Sequence, residues 1–336
     1  MKIWALKDFR IGSSKQTDFL AKKLSNDIIE KNIEYTKLIV IPNCIKPYKM
    51  GIDFEESDDL FNLKEDEYPD IVIFAGRRLA GVAIYLKKYI FKKFKKEVKI
   101  ISILNPNYSF KNFDFVLLPQ HDEIIKDKYN NILRFEGSLC NPDITAIIDE
   151  KTRDFWEDKL KNYKKPYYFF VVGGNTKNKK FNIIKFAELV KKISNFVKKQ
   201  NGTLLISTSR RTTDNYIKVI EKNLNCSYYL YKWGKSAFLN PYYYFVKEGE
   251  ISFVTGDSIS MITEIITIGK PVYVYMPEES LEDKHISFCN SLLDKNLIKK
   301  IELSKGDNFE KFKSKPLNEL DRLANHIKSN LQIIME

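Results

Sequence analysis

The sequence contains few of the residues that usually build metal or disulfide sites. It has three histidines, His121, His285 and His326, too few for a histidine-rich metal site. Its cysteines lie far apart and form no CxxC pair, which excludes the common zinc-ribbon spacings and predicts reduced thiols in a cytoplasmic protein. The four are Cys44, Cys140, Cys226 and Cys289. We therefore expect no bound metal.

Long apolar runs are also missing. No stretch approaches the roughly 18 apolar residues of a membrane-spanning helix, and the first residues, MKIWALKDFR, lack the basic-then-apolar pattern of a secretion signal. The 13 glycines and 11 prolines are too few for a low-complexity chain, while 43% hydrophobic and 30% charged residues can supply real cores. We expect a globular cytoplasmic protein, neither exported nor integral to a membrane.

The net charge of +12 is unevenly distributed, since residues 1–150 carry +1 and the remaining residues +11. An anionic ligand is therefore expected in the second half. The alternative is that an AT-rich genome supplies most of the lysines. Net charge alone is a weak argument for nucleic acid, and we expect none as a partner. The GxGxxG and GxxxxGK[ST] fingerprints of dinucleotide and P-loop sites are absent.

Short β-branched or aromatic runs alternate with helical patterns from end to end, which predicts parallel α/β units. The first half includes a predicted helix over 17–30 and a predicted strand over 35–41, and a further helix is predicted over 144–160. Two similar halves predict two Rossmann-like, doubly wound domains facing a central cleft. The predicted divisions are a domain over 1–150, a linker over 151–165, a domain over 166–305 and a C-terminal helix within 306–336 that packs back towards the first domain.

In the second half, the turns that directly follow three predicted strands, here called strand exits, combine small residues with hydroxyl and guanidinium groups. Because ligands of parallel sheets bind beyond the carboxyl ends of strands, these exits are expected to converge and hold a diphosphate. Alternatively, each Gly-Gly turn or serine N-cap does no more than begin a helix. Glu264 is placed to accept ribose hydroxyls, or is a solvated surface residue. The predicted nucleotide-binding residues are Gly173, Gly174, Asn175, Ser209, Arg210, Arg211, Gly256, Asp257, Ser258, Ser260, Met261 and Glu264.

The first half has polar strand exits of its own. His121 beside Asp122 follows a predicted strand and is a candidate general base near neutral pH, although such a histidine is more often a capping or packing residue. The basic and aromatic stretch 86–96 could touch an anionic surface, or form the solvated face of a helix. The predicted substrate-binding residues of this half are Asp8, Arg10, Gly12, Gln16, Gly76, Arg77 and Arg78.

Taken in order over about residues 3–276, these motifs resemble the mitochondrial-fission "elongated mitochondria" family. The resemblance is most specific in the last two motifs. One departure is Phe9, where the family usually has glycine in an Asp-Gly-Arg motif. The residues that carry the resemblance are 8–12 with Gln16, 69–73 with 76–78, Pro119 with 121–122, 173–175, 209–212, and 254–261 with Glu264 and 269–271.

The resemblance implies a GT-B fold similar to that of the peptidoglycan N-acetylglucosaminyltransferase. The expected function is then a metal-independent glycosyltransferase of envelope or lipid-linked glycan synthesis. Its donor substrate would be a nucleoside-diphosphate sugar held by the second domain, with no separate cofactor, and the first domain would hold a glycan or lipid-linked acceptor. The alternative is a non-catalytic adaptor on the same scaffold that recruits protein partners or contacts the inner face of a membrane peripherally.

Overall fold

The chain folds into two compact units, each with its own parallel sheet. Unit 1 comprises Met1–Cys140 and Asn318–Glu336, and unit 2 comprises Asn141–Leu317. The structure, a computed structural model, describes residues 1–43, 47–64, 67–122, 129–143, 147–235 and 238–335. Cys44 and the first residues of the helix predicted over 144–160 lie outside the described residues.

The elements follow one another as alternating strands and helices. The first part of the chain contains β1 (Lys2–Lys7), α1 (Ile11–Leu24), β2 (Asp27–Asn32), β3 (Glu34–Tyr35), β4 (Ile52–Asp53), β5 (Ile71–Ala75), α2 (Arg77–Phe94), β6 (Lys99–Ile103), β7 (Phe115–Pro119) and β8 (Ile132–Phe135). Unit 2 contains α3 (Glu150–Leu160), β9 (Tyr167–Val172), α4 (Ile183–Lys199), β10 (Thr203–Thr208), α5 (Asp214–Asn223), β11 (Ser227–Tyr231), α6 (Tyr242–Glu248), β12 (Ser252–Thr255), α7 (Ile259–Thr267), β13 (Val272–Tyr275), α8 (Asp283–Asp294) and β14 (Lys299–Lys300). The last helix is α9 (Glu319–Met335).

The main sheet of unit 1 has the order β2-β1-β5-β6-β7-β8, with every pair parallel. Alternate residues of its strands feed two cores, as a sheet covered by helices on both faces requires. Trp4 and Phe74 enter the core that α2 covers, whereas Ile3 and Ile73 enter the core that α1 and α9 cover. Unit 1 is therefore doubly wound, and the end of the chain completes it.

The sheet of unit 2 has the order β11-β10-β9-β12-β13-β14, again parallel throughout. Its central strand β9 has the sequence YYFFVV and is buried along its whole length, as expected of a strand covered on both faces. Along the chain, β10 and β11 lie in order on one side of β9, and β12 then lies on the other side of β9. The crevice between β9 and β12 is thus the point where the strand order reverses, where ligands of such sheets bind.

The predicted fold class, α/β with two Rossmann-like parallel-sheet domains, is confirmed. Two local predictions in unit 1 are wrong. The helix predicted over 17–30 ends at Leu24, and the strand that follows is Asp27–Asn32 rather than 35–41. This strand lies at the edge of the sheet and its DIIEKN sequence is largely solvent-facing, so it lacks the apolar pattern of a buried strand.

The predicted domain limits at 150 and 305 differ from the division in the structure, which falls at 140/141 and 317/318. Most of the predicted linker 151–165 is the helix α3, whose Trp156 is fully buried in the core of unit 2. The helix predicted over 144–160 is present as Glu150–Leu160, but its charged residues and the following Lys164-Lys165-Pro166 led to its assignment to the linker. The C-terminal helix α9 is grouped with unit 1, where Leu323 and Ile327 are buried.

Candidate functional site

The three predicted exits of unit 2 come together, because they follow three adjacent strands. Val172, Thr208 and Thr255 end β9, β10 and β12, and these strands are neighbours in the order β10-β9-β12. The turns after them begin at Gly173, Ser209 and Gly256, respectively. The sequence predicted that these three turns converge, and they follow the strands on either side of the reversal point of the sheet.

The Gly173-Gly174 turn is held closely against the exit of β12. Gly173 N–H donates to Thr255 Oγ1 (2.8 Å), and Gly174 N–H donates to Asp257 Oδ2 (3.0 Å). A Cβ at Gly173 would lie 2.2 Å from that same carboxylate oxygen, and Gly174 has a φ of +148° with no room for a Cβ. Only glycine fits both positions, and their N–H groups are bonded within the chain.

Asp257 therefore has an internal role in addition to its predicted position in the site. Its side chain is fully buried and forms an ion pair with Arg211, 2.8 Å from the guanidinium Nη2. The same Nη2 donates to the Asp257 carbonyl oxygen (3.1 Å). Burial raises the pKa of Asp257, while the Arg211 charge opposes that rise. A carboxylate of the protein thus occupies the donors that the sequence analysis assigned to a phosphate.

The turn after β10 fixes the same arrangement from the other side. Ser209 Oγ donates to the Gly173 carbonyl (2.7 Å), and Thr212 Oγ1 donates to the Val172 carbonyl (2.9 Å). Thr212 was not predicted as a site residue, although its position in a Ser-Arg-Arg-Thr turn was visible. Arg210 is exposed and makes no ion pair with any described residue. It is the guanidinium of this turn that can meet a ligand.

The start of α7 is a candidate anion-binding feature of unit 2. Its N-cap Ser258 makes no side-chain cap hydrogen bond, and the first helical bond within the described chain is Ile262 N–H to the Ser258 carbonyl (3.1 Å). Helical N–H groups before Ile262, including those of Ser260 and Met261, point out of the helix start. Such N–H groups together with the helix dipole favour a bound anion.

Glu264 lies farther along α7 and is half-buried. Tyr243 Oη donates to Glu264 Oε1 (2.9 Å), which orients the carboxylate. Tyr243 was missed because it lies in the aromatic run Tyr242–Glu248, which has the composition of core. Asn175 is likewise held by a tyrosine, since Tyr216 Oη donates to its Oδ1 (2.9 Å).

Unit 1 has its own reversal point, between β1 and β5, and six of the seven predicted substrate residues follow these two strands. Asp8, Arg10 and Gly12 follow β1, and Gly76, Arg77 and Arg78 follow β5. Tyr35, which the sequence did not identify, donates from its hydroxyl to Asp8 Oδ2 (2.8 Å). Burial raises the pKa of Tyr35, so its hydroxyl stays protonated and remains a donor.

Gln16 is oriented inwards rather than to a ligand. It is 8% exposed, and its Oε1 accepts from Leu139 N–H (3.1 Å) while Nε2 donates to the Gly12 carbonyl (3.4 Å). The bond from Leu139 ties α1 to the buried segment after β8, whereas the bond to Gly12 lies within α1. Gln16 thus has a structural role at this position.

The candidate base lies at a different strand exit from the arginines. His121 and Asp122 follow β7, and β6 separates β7 from β5, which places two strand spacings, about 10 Å, between the exits. Arg134 Nη1 donates to the carbonyls of Pro119 (3.1 Å) and Asp122 (3.0 Å), and so anchors this turn. Among the described residues, no group of three or more His, Cys, Asp or Glu side chains could hold a metal ion.

The comparison with protein families gives a match along almost the whole chain. A family model described as "Mitochondrial fission ELM1" matches residues 11–331. The chain belongs to this family. This ELM1-family chain is similar to the uncharacterized protein RP120 of Rickettsia prowazekii, 30% identical over 99% of both chains. The mitochondrial fission protein ELM1 of Arabidopsis thaliana is 25% identical over 80% of this chain and 65% of its own length.

Solved structures agree with the two-sheet architecture of this ELM1-family chain. A structure of Staphylococcus aureus MnaA with UDP covers 100% of this chain and 98% of its own, with a TM-score of 0.50 and 15% identity. At that identity the likeness concerns the fold, which is of the GT-B type. Within the described part of the chain, no helix has the length and apolarity needed to cross a membrane.

Proposed function

We propose that this chain binds a nucleoside-diphosphate sugar in unit 2 and transfers the sugar to an acceptor held by unit 1. The observation that carries the proposal is the start of α7, which opens without a side-chain cap at the reversal point of the sheet. Arg210, in the turn after β10, is exposed and has no ion pair among the described residues. The UDP bound to the MnaA structure supports a uridine nucleotide as the first ligand to try.

In this proposal the donor diphosphate lies at the N–H groups that begin α7, and Arg210 adds a positive charge. Glu264, held by Tyr243, accepts the ribose hydroxyls. The acceptor oxygen bonds to the anomeric carbon as the bond from that carbon to the diphosphate breaks. The leaving diphosphate gains negative charge, which the helix start and Arg210 stabilise without a metal. For an inverting transfer, His121 or Asp122 takes the acceptor proton.

The decisive experiment measures the binding of UDP, GDP and their sugar conjugates by thermal shift and by calorimetry. A ligand at saturation should raise the melting temperature by roughly 2–4 °C. We expect Arg210→Ala to lose most of that shift, because it removes a charge that only the ligand would contact. Arg153→Ala is the matched control, since Arg153 lies on the surface of α3 in the same unit. A series without any shift would contradict donor binding.

A second candidate function is a non-catalytic adaptor. It is favoured by the internal use of the Gly-Gly turn, whose N–H groups already bond Thr255 and Asp257. The end of α2 supplies a surface for such a role, with Phe91 52% exposed between Lys88, Lys92 and Lys95. A peripheral contact with anionic lipid would use this end. Co-sedimentation with phosphatidylglycerol vesicles that Phe91→Ser abolishes, together with no nucleotide binding, would favour the adaptor.

A further inference from the structure

We propose that unit 1 carries an oxyanion-binding site of its own, formed by Arg10, Arg77 and Arg78 at the reversal point between β1 and β5. The group it takes is a phosphate or diphosphate. As a statement about the acceptor, this inference rests on the proposed function. As a binding site, it stands on the contacts of unit 1 and can be tested without any enzyme activity.

Arg10 is held rigidly although part of it faces solvent. Its Nε and Nη2 both bond Asp8 Oδ2, at 2.8 and 2.6 Å, and Nη2 also donates to the Ala75 carbonyl (3.3 Å). The Asp8 side chain is 1% exposed, whereas the Arg10 side chain is 29% exposed. The guanidinium lies across Gly76, where an added Cβ would approach its Nη1 to 3.2 Å. A buried carboxylate thus fixes an arginine whose outer edge remains open.

Arg78 is positioned by aromatic rings instead of by a carboxylate. Its guanidinium carbon lies 5.3 Å from the Phe9 ring centre and 5.9 Å from that of Tyr35. The two rings meet edge to face, and the Tyr35 hydroxyl returns to Asp8. Stacking on aromatic faces orients a guanidinium while leaving its N–H donors unused.

The charges of this cluster are unbalanced. The two turns carry three arginines and one carboxylate, that of Asp8, which is committed to Arg10. Neither Arg77 nor Arg78 forms an ion pair with an acidic side chain of the described residues. The planar guanidinium of an arginine can donate two parallel hydrogen bonds to two oxygens of a phosphate. The missing negative charge is what a bound oxyanion would supply.

The backbone contributes to the same place. α2 begins at Arg77, directly after Gly76, whose φ of +84° a residue with a side chain rarely adopts. The N-cap Gly76 makes no side-chain cap hydrogen bond to this 18-residue helix, and the Arg10 guanidinium lies next to Gly76 at the helix start. An anion there would meet both the helix start and the arginines. The helix start adds to a site that the arginines define.

Two kinds of molecule could bring this group, a phosphorylated sugar or a lipid phosphate. Phe9 and Ile11 flank Arg10 in the sequence, and both side chains are 64% exposed. Apolar side chains beside the arginines would suit a lipid chain, while a sugar would leave them in water. The binding experiment below therefore uses one probe of each kind.

The test is calorimetry with inorganic pyrophosphate on the full chain. Arg78→Gln should weaken binding by about tenfold or more, because it removes a charge-assisted hydrogen bond. Lys92→Gln, at the far end of α2, is the matched control for net charge and should stay within about twofold. The titrations are repeated in the Arg210→Ala background, so that pyrophosphate bound at the site proposed in unit 2 does not obscure the effect of Arg78→Gln. The melting temperature of each variant checks its fold.

The outcomes separate this inference from the proposed function. Pyrophosphate binding that Arg78→Gln weakens supports the site even if no nucleotide binds to unit 2. No binding at millimolar pyrophosphate, equal binding by Arg78→Gln, or an equal loss in Lys92→Gln would overturn it. Titrations with farnesyl phosphate and glucose 1-phosphate then identify the molecule that carries the bound phosphate. Tighter binding of farnesyl phosphate indicates a lipid phosphate, and tighter binding of glucose 1-phosphate indicates a sugar phosphate.

Discussion

Arg210 and Arg211 are neighbours in the sequence but have different roles. Arg211 neutralises the buried Asp257, whereas Arg210 is exposed and has no ion pair among the described residues. We expect Arg211→Ala to reduce the free energy of unfolding by about 3 kcal/mol, the lower end of the cost of breaking a buried pair, because Arg211 is itself 37% exposed. Arg210→Ala should cost less than about 0.5 kcal/mol. Urea unfolding of both variants measures the difference, and equal losses would contradict these roles.

The same pair predicts a pH dependence. Burial raises the pKa of Asp257 above its ordinary 3.8, and removing Arg211 takes away the charge that opposes the rise. In Arg211→Ala the folded protein then holds the carboxyl proton to a higher pH than the unfolded chain does. Stability that depends on this proton is present at low pH and is lost as the pH rises through the folded pKa.

The free-energy difference between the wild type and Arg211→Ala should therefore be smaller at pH 5 than at pH 8. Urea titrations at both values measure it. Asp257→Asn combined with Arg211→Ala is the control, because it removes the titrating group and should flatten the dependence. A difference that is the same at pH 5 and pH 8 in Arg211→Ala would contradict the assignment to Asp257.

At the scale of elements, α3 is the part of the chain whose role was mistaken. Its Trp156 is fully buried, its indole Nε1 donates to the Leu239 carbonyl (3.0 Å), and its ring meets that of Phe245 edge to face. We expect Trp156→Ala to cost about 3–5 kcal/mol, as for other buried aromatic residues. Trp233→Ala, with a side chain 44% exposed, should cost less than about 0.5 kcal/mol. If chemical unfolding showed similarly small losses of unfolding free energy in both variants, α3 would be a linker and not part of the core.

The buried strands could be predicted from sequence, whereas the edge strand could not. Ile71–Ala75 and Tyr167–Val172 are apolar throughout because helices cover both faces of a parallel sheet. Asp27–Asn32 has one neighbour and faces solvent, so its composition resembles that of a surface helix. The spacing of apolar residues indicates which side of an element is buried. An exposed element has no such spacing, so its type cannot be predicted in this way.

The candidate site shows the same division between local and distant information. The exits at Gly173, Ser209 and Gly256 could be predicted because each directly follows a recognisable strand. The contacts that decide their roles join residues far apart in sequence: Asp257 bonds Gly174 and Arg211, 83 and 46 residues away. Spacing along the chain could not show that an aspartate of the site would occupy the Gly-Gly turn.

At the scale of the whole molecule, the two units differ in how the chain builds them. Unit 2 is one continuous segment, Asn141–Leu317, with a single core of its own. Unit 1 needs both ends of the chain, because Leu320, Leu323 and Ile327 of α9 are buried in the core that also contains Leu20 of α1. A fragment that lacks α9 would expose the part of that core that α9 covers.

We therefore expect residues 141–317 to fold alone with a cooperative unfolding transition, and residues 1–140 to fail to do so. Adding a peptide of residues 318–336 should restore a transition to 1–140, measured by circular dichroism. The control is the same peptide with Leu323→Asp, which places a charge in the core and should restore nothing. A cooperative unfolding transition in residues 1–140 alone would contradict this, because it would show that unit 1 folds without α9. An unfolded 141–317 would show that the core of unit 2 is insufficient without the rest of the chain.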